Sequence, residues 1–226
     1  MIPAWWPSDK PWIIDDCINI MKNIPDKCID LTLTDPPYGL GFDYGDTYID
    51  TKENLIELIG VVMPEIIRIS KLSAIMCGIT PTHLYPHPDW IMACVWDTTG
   101  SHGYFGYTQW FPVLMYGKDI KGFGSVNGVL KSDVIHITGG GGVGFMRDKN
   151  EKEHPVPKPM TIIEKLVRRL SNENDIIFEP FLGGGSIMQA SRKNNRTCIG
   201  CEINPKYEQI IRKRSMADQP EIERWF

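Results

Sequence analysis

Asp35-Pro36-Pro37-Tyr38 places a carboxylate, two imides and a phenol ring at four consecutive positions. The apolar run Ile29-Asp30-Leu31-Thr32-Leu33-Thr34 precedes it and reads as a buried strand, so the tetrapeptide stands at a strand's carboxyl end. In open α/β sheets, ligands bind outside those ends. This set suits a narrow chemistry. The Asp35 carboxylate and the Pro36 carbonyl can accept the two hydrogens of a planar exocyclic amine, and the Tyr38 ring offers a stacking face. Proline fixes φ, which presets the direction of the carbonyl. An amine held in this way can meet an electrophile at its nitrogen. The plainer alternative is a proline-rich turn that closes a strand, and the rest of the chain has to separate the two.

A second constellation is Phe178-Glu179-Pro180-Phe181-Leu182-Gly183-Gly184-Gly185-Ser186, which joins a strand pattern to a helix pattern. Glycines there let a ligand approach the backbone closely, and a helix N-terminus offers N–H groups. About twenty residues beyond Gly183, Glu202 ends the next strand, where a carboxylate suits two ribose hydroxyls. A dinucleotide fingerprint would separate its glycines and repeat one at position 188, which is Met188 here. Contiguous glycines favour a nucleoside ligand without a pyrophosphate.

These motifs need elements to hold them. Trp12-Ile13-Ile14 reads as a short strand before Asp15-Asp16-Cys17, and a short helix over Cys17–Asn23 ends near Pro25. Asp16 suits the N-cap of that helix. Residues 39–50 are rich in Gly, Asp and Tyr and read as a mobile loop. Helical spacing of apolar residues at 55, 58, 59, 62, 66 and 69 predicts a helix opened by Thr51, with Pro64 as a kink. Ser73–Cys77, Trp90–Trp96 and Phe111–Tyr116 read as strands, the last two separated by a loop. From Pro159 the pattern becomes regular: helix Met160–Leu170, strand Asp175–Phe178, helix Ser186–Asn194, strand Thr197–Glu202 and helix Pro205–Met216. Residues 118–153 differ in character. They hold many glycines, including Gly139–Gly144, which reads as a hinge. We expect a single domain over 1–226, with 118–153 as an inserted segment.

The 226 residues carry a formal net charge of −4, which counts mildly against a general nucleic-acid coat but leaves room for local basic patches. There is no run of 18 apolar residues, and the N-terminus lacks the charged and apolar regions of a signal peptide. The six cysteines lie mostly inside apolar runs, as reduced, buried thiols of a cytoplasmic protein would. Cys198 and Cys201 form a C-x-x-C, but strand alternation sends them to opposite faces. His83 and His87 stand among prolines that prevent a helix from aligning them. No metal site is expected.

Jointly, the motifs resemble the amino-group DNA methyltransferases that use S-adenosylmethionine. Asp35–Tyr38 matches the D-P-P-Y catalytic motif of that family, and Phe181–Gly185 matches its F-x-G-x-G cofactor motif. Cys201–Tyr207 looks like the acidic strand end and following helix start. His154-Pro155-Val156-Pro157-Lys158-Pro159 resembles the family's H-P-T-Q-K-P signature, and Asp16-Cys17 its G-D-C. Glu179 stands where Asp is usual, and a family His-Glu pair is replaced by Trp110-Phe111-Pro112. The catalytic motif precedes the cofactor motif, which is similar to the permuted beta group.

The resemblance implies a Rossmann-like class I methyltransferase α/β fold, with a mixed, mostly parallel sheet and helices on both faces. It implies catalytic roles for Asp35, Pro36, Pro37 and Tyr38. It implies S-adenosylmethionine contacts from Asp16, Cys17, Asp35, Lys158, Glu179, Phe181, Gly183, Gly185, Ser186 and Glu202. The substrate would be double-stranded DNA, with adenine N6 favoured over cytosine N4 and the chain a candidate homodimer. RNA or protein methylation, a non-catalytic nucleic-acid module and an NAD-dependent enzyme are the alternatives.

Overall fold

The structure is a computed structural model that describes residues 2–96, 101–103, 106–117, 125–126, 129–130, 132–137 and 158–216. The glycine run 139–144 and residues His154 to Pro157 lie outside the described residues. The first half of the chain runs β1 (Trp12–Ile14), α1 (Cys17–Met21), β2 (Ile29–Thr34), α2 (Lys52–Ile69), β3 (Ser70–Met76) and β4 (Trp90–Trp96). Two short strands, β5 (Ser101–Gly103) and β6 (Gly106–Thr108), pair as a hairpin before β7 (Trp110–Tyr116). A two-residue pair, β8 (Ser125–Val126) with β9 (Val129–Leu130), leads to β10 (Val134–Ile137). The chain closes with α3 (Met160–Leu170), β11 (Ile176–Glu179), α4 (Ser186–Lys193), β12 (Thr197–Glu202) and α5 (Glu208–Met216).

Eight strands form one sheet in the order β1-β12-β11-β2-β3-β7-β4-β10. Every neighbouring pair is parallel except those made by β7, which is antiparallel to both β3 and β4. Chain order runs outward in one direction from β11 to β12, with β1 added beyond it as the edge strand, and in the other from β2 to β3. The junction between β11 and β2 is therefore a topological switch point, where carboxyl-end loops diverge and leave a crevice. The two sequence motifs are the loops leaving those two strands.

Alternation along each strand divides the core into two layers. Leu31, Leu33, Ala74, Val113 and Ile177 face α3, α4 and α5, whereas Ile75, Leu114, Phe178 and Ile199 face α1 and α2. Helix α3 buries Ile162, Ile163, Leu166, Val167 and Leu170 on the first layer. Each such side chain contributes roughly 1.5–3 kcal/mol of burial free energy before chain entropy is charged. Cys198 lies in the first layer and Cys201 in the second, the opposite-face placement expected from strand alternation.

Three local details depart from the sequence expectation. Helix α2 runs unbroken through Pro64 and passes straight into β3, which starts at Ser70 rather than Ser73. Thr51 caps α2 by accepting from the Asn54 amide at 3.2 Å. The stretch between β4 and β7 contains the β5–β6 hairpin instead of an irregular loop. Finally, Val134–Ile137, within the expected insert, joins the main sheet as an edge strand parallel to β4. Among the described residues, no helix is long and apolar enough to cross a membrane.

Candidate active site

Asp35 follows β2 directly, and the register that pairs Phe178 with Thr32 sets the β11 loop beside it. Asp35, Lys158, Glu179, Gly183, Ser186 and Arg214 line one cleft. The two motifs thus share a cavity rather than standing on opposite sides of the sheet.

The Asp35 carboxylate is the centre of a compact network. The Tyr38 hydroxyl donates to its Oδ1 at 2.5 Å. Lys158 Nζ, just before α3, donates to Oδ1 at 3.0 Å, to Oδ2 at 2.8 Å and to the Tyr38 hydroxyl at 2.7 Å. The ammonium also lies 4.8 Å from the Tyr38 ring centroid and 5.4 Å from that of Phe111. Burial, then the neighbouring Asp35 charge, pushes the Tyr38 phenol well above its ordinary value, so it remains a neutral donor. The Lys158 ammonium fills acceptor positions that an incoming amine would need.

The glycine bend is held from below. Gly183 and Gly185 have φ of +50° and +74°, the left-handed region where side chains are strained. The Gly183 amide donates to Glu202 Oε2 at 2.7 Å, and the Asn204 amide to Oε1 at 2.8 Å. Glu202 therefore clamps the bend, and the Gly183 N–H is not free for a ligand. The Leu182 amide donates to the Cys201 carbonyl at 2.9 Å, which ties the loop to β12. Burial raises the Glu202 carboxyl, against three backbone amides that lower it.

Glu179 is 3% exposed and its Oε2 has no hydrogen-bond partner. Burial, then the negative charges of Asp35 and Glu202, pushes it well above the usual carboxylate range. A buried, unpartnered carboxyl oxygen in a cleft suits a cationic ligand group. Two carboxyls (Asp35, Glu179) and two cations (Lys158, Arg214) line the same cleft, a pattern that fits a zwitterionic amino-acid end.

Asp16 and Cys17 lie at the end of β1, where the Asp15 amide donates to the Glu202 carbonyl at 3.0 Å. Asp16 Oδ1 accepts from the Ile18 amide at 2.9 Å, the N-cap read from the sequence. Cys17 is 5% exposed in the α1–α2 layer, and burial pushes its thiol to about 12. Phe181 packs partly against that layer, and Pro36 is buried. Pro37 is half-buried beside it.

Three residues at this site carried no role in the sequence reading. Arg214 Nη1 donates to the Gly184 carbonyl at 2.7 Å and the Ser186 hydroxyl at 2.9 Å, closing the bend from α5. Phe111, at the start of β7, backs the Lys158 ammonium. Asp50 folds the loop after Tyr38. Only the α5 and β7 patterns could have pointed to the first two, and those look like any amphipathic helix or buried strand.

Comparison with known proteins gives this arrangement a family. The DNA methylase family model matches residues 142–213. The type II methyltransferase M.HpaI of Haemophilus parainfluenzae is 30% identical over 236 residues, covering 91% of this chain and 74% of that protein. The DNA adenine methyltransferase YhdJ of Escherichia coli (strain K12) is 26% identical over 88% of this chain and 80% of its own length. Among solved structures, the PvuII DNA methyltransferase (cytosine-N4-specific) superposes with a TM-score of 0.68 at 13% identity, over 92% of this chain and 87% of that one. The M1.HpyAVI–SAM complex superposes with a TM-score of 0.64 at 21% identity, over 90% and 97%. These likenesses establish the class I methyltransferase fold. The chain belongs to the S-adenosylmethionine-dependent DNA amino-methyltransferases.

Proposed function

We propose that this chain methylates adenine N6 in double-stranded DNA, on a base extruded from the helix. The observation that supports it is the shared cleft: the carboxylate ending β2 and the glycine bend ending β11 face one cavity across the switch point. The D-P-P-Y form of the turn, commoner among adenine enzymes than S-P-P-Y, favours adenine, and so does the likeness to YhdJ. The motif order along the chain supports the permuted beta group.

Bound S-adenosylmethionine supplies an electrophilic methyl group on a sulfonium. The protein's part is to hold and orient. Glu202 would accept hydrogen bonds from the ribose hydroxyls, and Asp16 and Cys17 would flank the adenine. Phe181, Gly183, Gly185 and Ser186 would line the cofactor, while Glu179 would meet its ammonium. Lys158, which bonds Asp35 in the free protein, would hold the cofactor carboxylate and so leave an Asp35 oxygen for the target amine. Asp35 and the Pro36 carbonyl then accept the two hydrogens of the target amine and draw its nitrogen towards sp3 geometry. Pro37 keeps the turn rigid, and Tyr38 stacks on the base. Extrusion costs a few kcal/mol, because an amine inside the duplex cannot reach a strand-end cleft.

Glu179 gives this reading a pH signature. Burial raises the carboxyl and so favours its protonated form in the free protein. An ammonium beside it favours the ionised form, so binding releases a proton and affinity rises with pH. Below the range where a ligand α-amino group titrates, S-adenosylmethionine should bind more tightly as pH rises towards the raised Glu179 pKa, by up to about tenfold per unit. Calorimetry on Glu179→Gln should show a flat profile. A wild-type affinity that weakened with pH would contradict the role.

Product identity tests the function itself. DNA incubated with the purified protein and methyl-deuterated S-adenosylmethionine should yield deuterated N6-methyldeoxyadenosine on digestion and mass spectrometry. Label in N4-methyldeoxycytidine would replace adenine by cytosine, and no label in DNA would reject the reading.

A further inference from the structure

The segment after Tyr38 is folded around one buried side chain. Asp50 is 2% exposed, and its carboxylate accepts three backbone amides: Gly39 to Oδ1 at 2.7 Å, Leu40 to Oδ2 at 3.0 Å and Phe42 to Oδ2 at 3.1 Å. The Asp50 carbonyl accepts a fourth, from Gly41, at 2.8 Å. A solvated loop needs no such core. Water would satisfy those amides at no cost, whereas burying a carboxylate requires donors to match it.

The side chain is anchored to something rigid. Asp50 immediately precedes Thr51, the N-cap of α2, whose first turn is fixed by fully buried Leu55. Gly39 has φ of +68°, and a Cβ there would lie 3.2 Å from both Lys52 Cα and Leu55 Cδ2. A side chain there would be strained by the backbone shape and crowded against α2. Further along, Asn204 Nδ2, just past β12, donates to the Tyr44 carbonyl at 3.3 Å. The loop thus leaves β2 and reaches β12, and in the sheet order β11 with its glycine bend lies between those strands. It ties the end of the amine-holding turn to the residue whose amide bonds Glu202.

We propose that Asp50 is a positioning residue for methyl transfer. It presets residues 39–42 so that Tyr38 and Asp35 keep their geometry when the target base arrives, and it presents Leu40 and Phe42, both exposed, in a fixed arrangement beside the turn. This rests on the function proposed above. The cofactor contacts come from the β11 and β12 loops, so removing the latch should affect the transfer step far more than cofactor affinity.

Asp50→Asn tests it. The amide keeps the volume but retains a single acceptor oxygen, and turns an NH2 group towards backbone donors. Three readings separate the possibilities: amide hydrogen exchange over 39–42, the S-adenosylmethionine dissociation constant, and kcat for tritiated methyl transfer to unmethylated bacterial genomic DNA. The expected result is exchange at least tenfold faster over 39–42 and kcat at least tenfold lower, with cofactor affinity within threefold. Gly39→Ala, which disturbs the same segment from the α2 side, should give the same split. The double variant should lose less than the product of the singles, because both open one latch. A kcat loss below tenfold, unchanged exchange, or a proportional loss of affinity and kcat in both variants would overturn the proposal. If the wild type transferred no methyl to DNA, the function would fail, while the exchange reading would still judge the latch.

Discussion

Replacing Asp35 by alanine should lower methyl transfer to DNA by about 10²–10³-fold, the loss seen when one preorganised polar group is removed from a developing charge. S-adenosylmethionine affinity should stay within a few-fold. The substitution removes the acceptor for the amine and both partners' anchor, since Lys158 and the Tyr38 hydroxyl each donate to that carboxylate. The Lys158–Asp35 pair is only 12% and 23% exposed, so it is poorly screened by solvent. Asp35→Asn keeps one acceptor oxygen for the amine but loses the charge that holds Lys158, so its loss should be smaller than that of Asp35→Ala. Tritium transfer and calorimetry measure the two quantities. Activity within threefold of wild type in the Ala variant would remove Asp35 from the mechanism.

The second large effect concerns the cofactor. Glu202→Ala should weaken S-adenosylmethionine binding by about 100-fold, which corresponds to roughly 2.7 kcal/mol. Two losses combine. The ribose hydroxyls lose their acceptor, and the Gly183 and Asn204 amides lose theirs. Each stranded donor costs about 1–3 kcal/mol where water cannot reach it, so the melting temperature should fall as well. Glu202→Gln separates the two. Its remaining oxygen can keep one amide bonded, which recovers much of the stability, but it cannot serve both amides and the ribose. Calorimetry and thermal melting should therefore show a Gln variant nearer to wild type in stability than in affinity. Wild-type affinity in the Ala variant would show that Glu202 clamps the bend and does nothing for the cofactor.

The sequence carried the parts of this site that are local. A strand followed by Asp35–Tyr38, a glycine bend between β11 and α4, and a carboxylate ending β12 are each contained in a few consecutive residues. Helix α3 has the bounds expected from its apolar spacing, Met160 to Leu170. What was not legible depends on partners distant in the chain. Lys158 meets Asp35 across 123 positions, and Arg214 meets Gly184 across 30. No local pattern marks such pairs. Val134–Ile137 has strand composition, but only its pairing with β4 makes it part of the sheet. Asp50 shows the opposite difficulty. In sequence it is one more polar residue in a Gly- and Tyr-rich loop, and its importance comes entirely from being buried among amides that the loop turns inward.

The most direct test compares DNA from cells expressing the wild-type chain with DNA from cells expressing Asp35→Ala, by modification-sensitive sequencing. Methyl transfer to an exocyclic amine at the β2–β11 switch point predicts N6-methyladenine at one short sequence motif in the first sample and its loss in the second. Methylation that persists unchanged without the Asp35 carboxylate, or a wild-type sample with no modified amine, would contradict the account.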